Sequence, residues 1–167
     1  MLDETVLTAA DVMTRDVAVA KPGMSLLEAV KLMAHRHISG MPVVDQTGTI
    51  VGMLSEGDLM RWHEGFTERQ ARWLDMLAEG IDLAPAFLEG IREQNRKIHS
   101  IMSRGAIAVT PETPARAVAR LMHAKNIKRV PVVSNGKLVG IIARSDLIRA
   151  LAEKLAEPAA TSQPVRA

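Results

Sequence analysis

The 167-residue chain contains no cysteine and no tyrosine. Without cysteine there are no disulfides, no thiolate metal sites and no cysteine nucleophile, and nothing speaks for an oxidising compartment. Aromatic side chains are scarce. Trp62, Trp73, Phe66 and Phe87 are the whole set, too few for the stacking platforms of a single-strand nucleic-acid binder. No apolar run approaches the ~20 residues that a membrane helix needs. The start, Met1-Leu-Asp-Glu-Thr-Val, is acidic and lacks the basic-then-apolar order of a signal peptide. An excess of one charge is missing too: 21 Lys and Arg face 19 Asp and Glu, a net +2. Even with an isoelectric point near 9.2, that excess is too small to draw nucleic acid by bulk electrostatics. The expectation is a cytoplasmic protein with neither a nucleic-acid nor a membrane partner.

What is present is an ordinary globular balance, 47% apolar and 24% charged residues. A chain of this length buries about 70% of its unfolded surface and suits one compact domain, or two small halves sharing a core. Self-comparison favours the halves. Asp11-Val-Met-Thr-Arg15 aligns with Ser100-Ile-Met-Ser-Arg104, so that Met13 falls on Met102, an offset of 89. The same offset pairs Pro22 with Pro111, Leu32-Met33 with Leu121-Met122, Ile38 with Ile127, and Pro42-Val43-Val44 with Pro131-Val132-Val133. One residue drops out near Thr47. Gly48 then meets Gly136, Val51-Gly52 meets Val139-Gly140, and Asp58-Leu59 meets Asp146-Leu147. The chain is two copies of one supersecondary unit with an insert between them.

Each copy reads as β-α-β-β-α. Val17-Ala-Val19 is a short extended run closed by the Lys21-Pro22-Gly23 turn signal. Ser25 has N-cap chemistry and Glu28 the matching third position of a capping box. Leu26, Val30 and Met33 then mark one face of a helix ending near His37. In the second copy Pro114 opens the helix, with Val118, Leu121 and Met122 as its stripe. Met41-Pro-Val-Val44, a Gln46-Thr-Gly48 turn and Thr49 to Leu54 form an apolar hairpin. Ser55-Glu-Gly-Asp58 starts the closing helix. Each unit alone leaves a sheet face and a helix stripe uncovered, so two units are expected to pack with pseudo-twofold symmetry.

The segment from Met60 to His99 has no counterpart in either repeat. Thr67-Glu-Arg-Gln70 is a further capping box, followed by Trp73, Leu74 and Leu77 on one face. Asp82 to Ile98 reads as a second helix with Leu88, Ile91 and Ile98 inward and Arg92, Glu93, Arg96 and Lys97 as its solvated face. The expected division is residues 1–62 for the first repeat with its lead-in, 63–98 for the helical insert, 99–155 for the second repeat, and 156–167 for a disordered, Pro-interrupted tail.

Tandem β-α-β-β-α units bearing Ile-x-x-x-Pro-Val-Val and then Val-Gly-x-x-Ser-x-x-Asp-Leu resemble the CBS domain, named for cystathionine β-synthase. Two in tandem resemble the Bateman module. The resemblance covers residues ~9–62 and ~98–152 and is specific, because the two copies match independently. The insert, with Thr-Glu-Arg and then Arg-Trp-Leu-Asp-Met-Leu-Ala, also resembles the linker of bacterial CBS proteins that often carry a C-terminal BON domain. No segment of that size follows the second repeat, so no BON-type membrane or scaffold role is expected. The resemblance implies an α+β fold of two CBS repeats and a helical insert, with an adenosine-containing ligand bound between the repeats. It also implies dimerisation through helices.

Ser55 and Asp58 carry the chemistry that ribose recognition needs. An ionised carboxylate accepts from vicinal hydroxyls, a neighbouring hydroxyl adds another bond, and a helix N-terminus favours phosphate. Taken by spacing alone, Ser-x-x-Asp at a helix start reads first as an ordinary cap with an acidic third position. The resemblance reverses that preference, since family members use this pair for ribose. In the second copy Ala143 replaces the hydroxyl while Asp146 remains, which fits a ligand role slightly better than a capping one and weakens the second pocket. The resemblance places phosphate-holding cations just before the Pro of the opposite repeat, here Lys128 and Arg129 before Pro131. Strand-edge charge is the equal alternative. Ile127, Val130 and Met53 would line the base slot of this first pocket. Asp146, Arg144, Ser39 and Gly40 make the weaker second one, with Arg144 also readable as an exposed first-turn residue.

His35 and His37 have no ligand partners at zinc spacing, and His63-Glu64 completes no metalloprotease motif. The 10 methionines sit mostly at core-facing positions. With no nucleophile–base pair, an enzyme is not expected, and no cofactor is required. The leading expectation is a regulatory sensor of AMP-, ADP- or ATP-type ligands, homodimeric, acting on an unknown protein target. Leu147, Leu151 and Leu155 would supply the helix stripe that a second copy covers. The alternative is a ligand-free interaction module docking a partner through the insert, with Trp62, Phe66 and Trp73 exposed.

Overall fold

The computed structural model describes residues 6–63 and 96–156. The expected insert helices and their Trp73, Leu74 and Leu77 face, the side chains of Trp62 and Phe66, and the tail lie outside the described residues. The chain divides into two compact units, and neither coincides with a contiguous repeat. One gathers residues 16–107 and 135–138; the other gathers residues 1–15, 108–134 and 139–167. Each unit mixes helix and sheet and has its own hydrophobic core, so the expected α+β fold of two repeats is observed.

In the unit built on the first repeat, Ser25 caps α2 (Leu26–His35) as expected. Its hydroxyl accepts from the Glu28 N–H at 3.2 Å, and the Glu28 carboxylate accepts from the Ser25 N–H at 2.9 Å. The helix stops because His37 turns left-handed, at φ 52°. That turn lets the Ile38 N–H reach the Met33 carbonyl at 3.0 Å and the His37 N–H reach Ala34 at 3.2 Å, satisfying two of the last carbonyls. Asn126, at φ 50°, ends the matching helix α4 (Ala115–Ala124) with the same pair of bonds, Ile127 to Met122 and Asn126 to His123. Both repeats therefore deliver their chains into the next strand by one device.

Strands β1 (Gly40–Val44) and β2 (Ile50–Ser55) pair antiparallel from Gly40↔Ser55 to Val44↔Ile50. The intervening turn is held by the Asp45 carboxylate, which accepts from the Thr47 N–H at 2.8 Å and the Thr49 N–H at 3.0 Å. The extended run expected over Val17–Val19 reduces to one parallel bridge, Ala20 to Val43. Its second-repeat counterpart is the Val109–Val132 bridge. Ala29, Met33, Met41, Val43, Leu54 and Ile98 are buried in this core. Helix α3 (Glu56–His63) follows β2 directly.

The second helix expected to run as far as Ile98 does not do so. The Leu26 N–H donates to the Arg96 carbonyl at 2.9 Å, Lys97 bridges Ser25, and the Ile98 N–H donates to Met24 at 3.0 Å. Backbone groups committed to residues 24–26 cannot also make a helical ladder, so Ile98 opens a single 3₁₀ turn (Ile98–Ser100) and buries its side chain in the first-repeat core. Beyond it β3 (Ser103–Arg104) joins the edge of β2, with Met53↔Ser103 and Gly52↔Arg104.

The other unit mirrors this. Short α1 (Ala9–Val12), α4, the β4 (Arg129–Ser134) and β5 (Lys137–Ala143) hairpin and α5 (Arg144–Ala156) surround Ala9, Val12, Val118, Met122, Val130, Val132 and Ile142. Pro114 serves as N-cap of α4. Thr14 exchanges two backbone bonds with Ile141, of 2.9 and 3.0 Å, the counterpart of the Ser103–Met53 pairing. Each repeat thus receives the lead-in segment of the other. Glycine makes room for the crossing: a Cβ on Gly52 would stand 2.5 Å from the Ser103 carbonyl oxygen, and one on Gly140 would overlap the Met13 side chain.

Candidate functional site

Asp58 and Asp146, the two carboxylates at matching repeat positions, are both buried, at 2% and 5% exposure. Each occupies the first turn of a helix that leaves a strand without a loop, α3 after β2 and α5 after β5. A charge so removed from water persists only with several donors around it. Asp58 Oδ2 accepts from the Ser55 N–H at 2.8 Å and from the Ser55 hydroxyl at 3.1 Å. Its Oδ1 accepts from the Ser103 hydroxyl at 2.7 Å. Asp146 Oδ2 accepts from the Ala143 N–H at 2.7 Å, while Oδ1 accepts from the Thr14 hydroxyl at 3.2 Å and is paired with the Arg149 guanidinium.

Capping and site chemistry therefore meet in one group. Both carboxylates satisfy a backbone N–H at the helix start, which is the acidic half of a capping box. The Ser55 hydroxyl donates to the carboxylate. Asp146 caps Ala143 without any hydroxyl there, so the missing serine does not relieve it of that structural work, as the sequence pattern had suggested.

Thr14 and Ser103 are site residues that the element-by-element reading did not single out. They stand at the same 89-residue offset as Met13 and Met102. A hydroxyl-bearing residue repeated at that spacing was the available signal.

The other expected residues are placed as follows. In the first-repeat unit, Ser39 and Met53 are half-buried and Gly40 is buried at the start of β1. The Ser39 carbonyl accepts from the Glu56 N–H at 3.0 Å, which brings Ser39 beside the start of α3 with Ser55 and Asp58. In the other unit the Lys128 carbonyl accepts from the Arg144 N–H at 3.3 Å, so Lys128 borders the start of α5. Lys128 is exposed, Arg129 and Ile127 are half-buried, and Val130 is sealed in the core at 0%. The Arg144 guanidinium turns back to the Ile127 carbonyl at 3.4 Å.

Among the described residues, no three His, Asp or Glu side chains come together as a metal site. No helix among them is long and apolar enough to cross a membrane.

The comparisons with known proteins agree with this architecture. The Methanocaldococcus jannaschii protein MJ1426 is 30% identical over 155 residues, covering 87% of this chain and 92% of its own. The chloroplastic CBS domain-containing protein CBSX2 of Arabidopsis thaliana is 27% identical, covering 86% of this chain and 63% of its own. A crystal structure of CBSX2 in complex with AMP superposes with a TM-score of 0.67 at 26% identity, over 89% of this chain and 98% of that one. The CBS domain pair of MJ0100, in complex with 5'-methylthioadenosine and S-adenosyl-L-methionine, gives 0.65 at 25% identity, over 89% and 98%. The CBS-domain model itself matches residues 9–65 and 98–153, one match on each repeat. With both repeats matched and their buried helix-start aspartates in register, the chain belongs to the CBS-domain family, as a tandem pair.

Proposed function

We propose that this chain is a regulatory sensor of an adenosine-containing ligand, of the AMP, ADP or ATP type. The observation that carries the reading is Asp58: a buried carboxylate at a helix start, fixed by Ser55 and Ser103. Relatives of the same architecture are recorded with AMP and with S-adenosyl-L-methionine. In this reading Asp58 and Ser55 take the ribose, Lys128 and Arg129 supply positive charge to phosphate, and Ile127 and Met53 offer apolar surface to the base. Asp146 is also paired with the Arg149 guanidinium, which a ligand there would have to accommodate.

The sensor is proposed to act as a homodimer. Helix α5 exposes Ile148 at 66%, Leu151 at 56% and Leu155 at 78%. Together with Leu7, Ala115 and Met122 of the same unit, Ile148 and Leu151 line an apolar groove of about 560 Å³. A stripe of that kind is the surface a second copy would cover.

A thermal-shift panel of AMP, ADP, ATP, S-adenosylmethionine and NAD tests the ligand reading. A ligand at ~100 times its Kd stabilises the native state by about 2.7 kcal/mol, roughly 5–10 °C for a chain of this size. A shift with the adenosyl compounds is expected. No shift with any of them would favour the interaction-module alternative.

A further inference from the structure

We propose that the groove between α4 and α5 receives the acidic insert, residues 64–95, of a second copy of this chain, so that two copies exchange inserts. The inference rests on the homodimer reading above and names the part of the partner that covers this face.

The floor of the groove is apolar, made by Met122 of α4, Leu147, Ile148 and Leu151 of α5, and Leu7 of the lead-in. Ile148 and Leu151 are exposed over more than half their surface, and a contiguous patch of this kind marks a contact surface. Its charge is of one sign. Arg116 of α4 and Arg144 and Lys154 of α5 line it, with His123 beside them, and among the described residues no carboxylate does. That pattern decides against a plain face-to-face meeting of two α5 helices. In a twofold interface the same patch meets itself, so the cations of one copy would approach those of the other. Like charges so placed oppose association, whereas an apolar occupant bearing carboxylates is drawn in.

The chain carries such an occupant. Residues 73–91 contain Asp75, Glu79, Asp82 and Glu89 and neither lysine nor arginine, and Trp73, Leu74, Leu77, Phe87 and Leu88 supply apolar surface in the same stretch. Residues 64–95 as a whole hold seven Asp and Glu against three Lys and Arg, a net −4 in a chain whose total is +2. Charge is therefore segregated, acidic within the insert and cationic outside it, which steers the two surfaces toward each other. The insert is attached at both ends to the unit that does not hold the groove. His63 closes α3 at one end, and at the other the Arg96 carbonyl accepts from the Leu26 N–H at 2.9 Å. Two inserts and two grooves close the assembly at a dimer, each copy giving one segment and receiving one.

The test is light scattering on the full chain with charge reversed on one side or the other. The wild type is expected at twice 18.2 kDa. Asp75→Lys with Glu79→Lys and Asp82→Lys makes the insert basic, and Arg116→Glu with Lys154→Glu makes the groove acidic. Each variant alone is expected at half the wild-type mass. Mixed in equal amounts, the two should return to the dimer mass, because the basic insert then meets the acidic groove while the unaltered insert meets the unaltered groove. An insert variant that stays dimeric overturns the docking and leaves the homodimer reading intact. A monomeric wild type overturns both.

A second measurement needs no variant to fold. Isotope-labelled and unlabelled wild-type chains are refolded together from urea, and carbodiimide then couples amines to the carboxylates they touch. A bond from Lys154 to a carboxylate of residues 73–91, in peptide pairs of mixed label, is expected. The same bond in pairs of like label only puts each chain's own insert in the groove and overturns the exchange. No such bond at all overturns it too.

Discussion

The Met13 thioether occupies the space in which any residue but glycine at position 140 would place its Cβ. Gly52 stands in the same relation to Met102 and to the Ser103 carbonyl oxygen, 2.5 Å from a Cβ built there. The two contacts differ in what can move. At Gly140 the obstacle is a flexible side chain, whereas at Gly52 it includes backbone. Gly52→Ala is therefore expected to cost about 1–3 kcal/mol, as overpacking does, and Gly140→Ala less. Adding Met13→Ala should relieve Gly140→Ala, giving a non-additive pair in urea denaturation. Equal costs for both glycines, or strict additivity with Met13→Ala, would contradict the crossing of lead-ins.

The two buried aspartates should separate in a binding experiment. A hydrogen bond to a charged group contributes about 1.5–3 kcal/mol, so Asp58→Ala should weaken a phosphorylated adenosine ligand by roughly tenfold to a hundredfold. Asp146→Ala is expected to leave the tighter site in place. Arg129→Ala should weaken ADP or ATP more than adenosine, because only the phosphates lose a cation. Equal losses from Asp58→Ala and Asp146→Ala, read by calorimetry, would sink this asymmetry. Both aspartate variants should also lower the melting temperature, since each leaves a helix-start N–H, that of Ser55 or Ala143, without its carboxylate.

Acid should loosen the first-repeat unit at a defined helix end. The Ser25 hydroxyl, and then its N–H, hold the Glu28 carboxyl below the ordinary glutamate range. Hydrogen bonds from Thr8 do the same for Asp11, and those from Thr47 and Thr49 for Asp45. A carboxyl whose folded pKa is lowered contributes stability that is fully present above its unfolded value, near pH 4. That contribution disappears as the pH falls through the folded value. Glu28→Gln should therefore differ from wild type in urea melts at pH 7, and the gap should narrow as the pH falls below about 4 toward the folded value. A gap that persisted unchanged at pH 3 would rule the linkage out. Ser25→Ala should cost about 1 kcal/mol at pH 7, the usual cost of a lost N-cap.

Light scattering decides the dimer. A mass near twice 18.2 kDa is expected at micromolar concentration, and Leu151→Asp together with Ile148→Asp should halve it. A monomer for the wild-type chain would count against the α5 face as an interface.

Much of this was legible locally. The Ser25–Glu28 box, the turn at Gln46 to Gly48 and the helix starts after Ser55 and Ala143 all depend on residues within four positions of each other. Local spacing carries that information. The end of α2 was nearly right, at His35 instead of His37, because a histidine in the left-handed region carries no glycine signature. What local spacing could not show was the destination of the lead-ins. Thr14 finds Asp146 and Ser103 finds Asp58 across 132 and 45 residues, and no periodicity encodes a pairing over such separations. The helix expected through Ile98 failed for the same reason. Apolar spacing placed Ile98 inward correctly, but its backbone was already committed to Met24.

The exchange of lead-ins has a consequence for how the chain is made. A ribosome delivers the first repeat from residue 16 onward, yet its core lacks Ile98, and Asp58 lacks its Ser103 donor, until the insert has also emerged. Residues 6–15 are made at the outset, but the partners the structure gives them outside their own segment start with Pro111, Thr113 and Ala115 and end with Ile141 and Asp146, near the end of synthesis. Until then the Ala9 and Val12 side chains, destined for the other core, stay uncovered. The first-repeat unit closes only once residues 96–107 have followed the insert, so that unit is not completed at the moment its own repeat has been made. A nascent chain stalled at residue 107 carries everything the first unit takes from its own stretch of sequence, and one stalled at residue 95 does not.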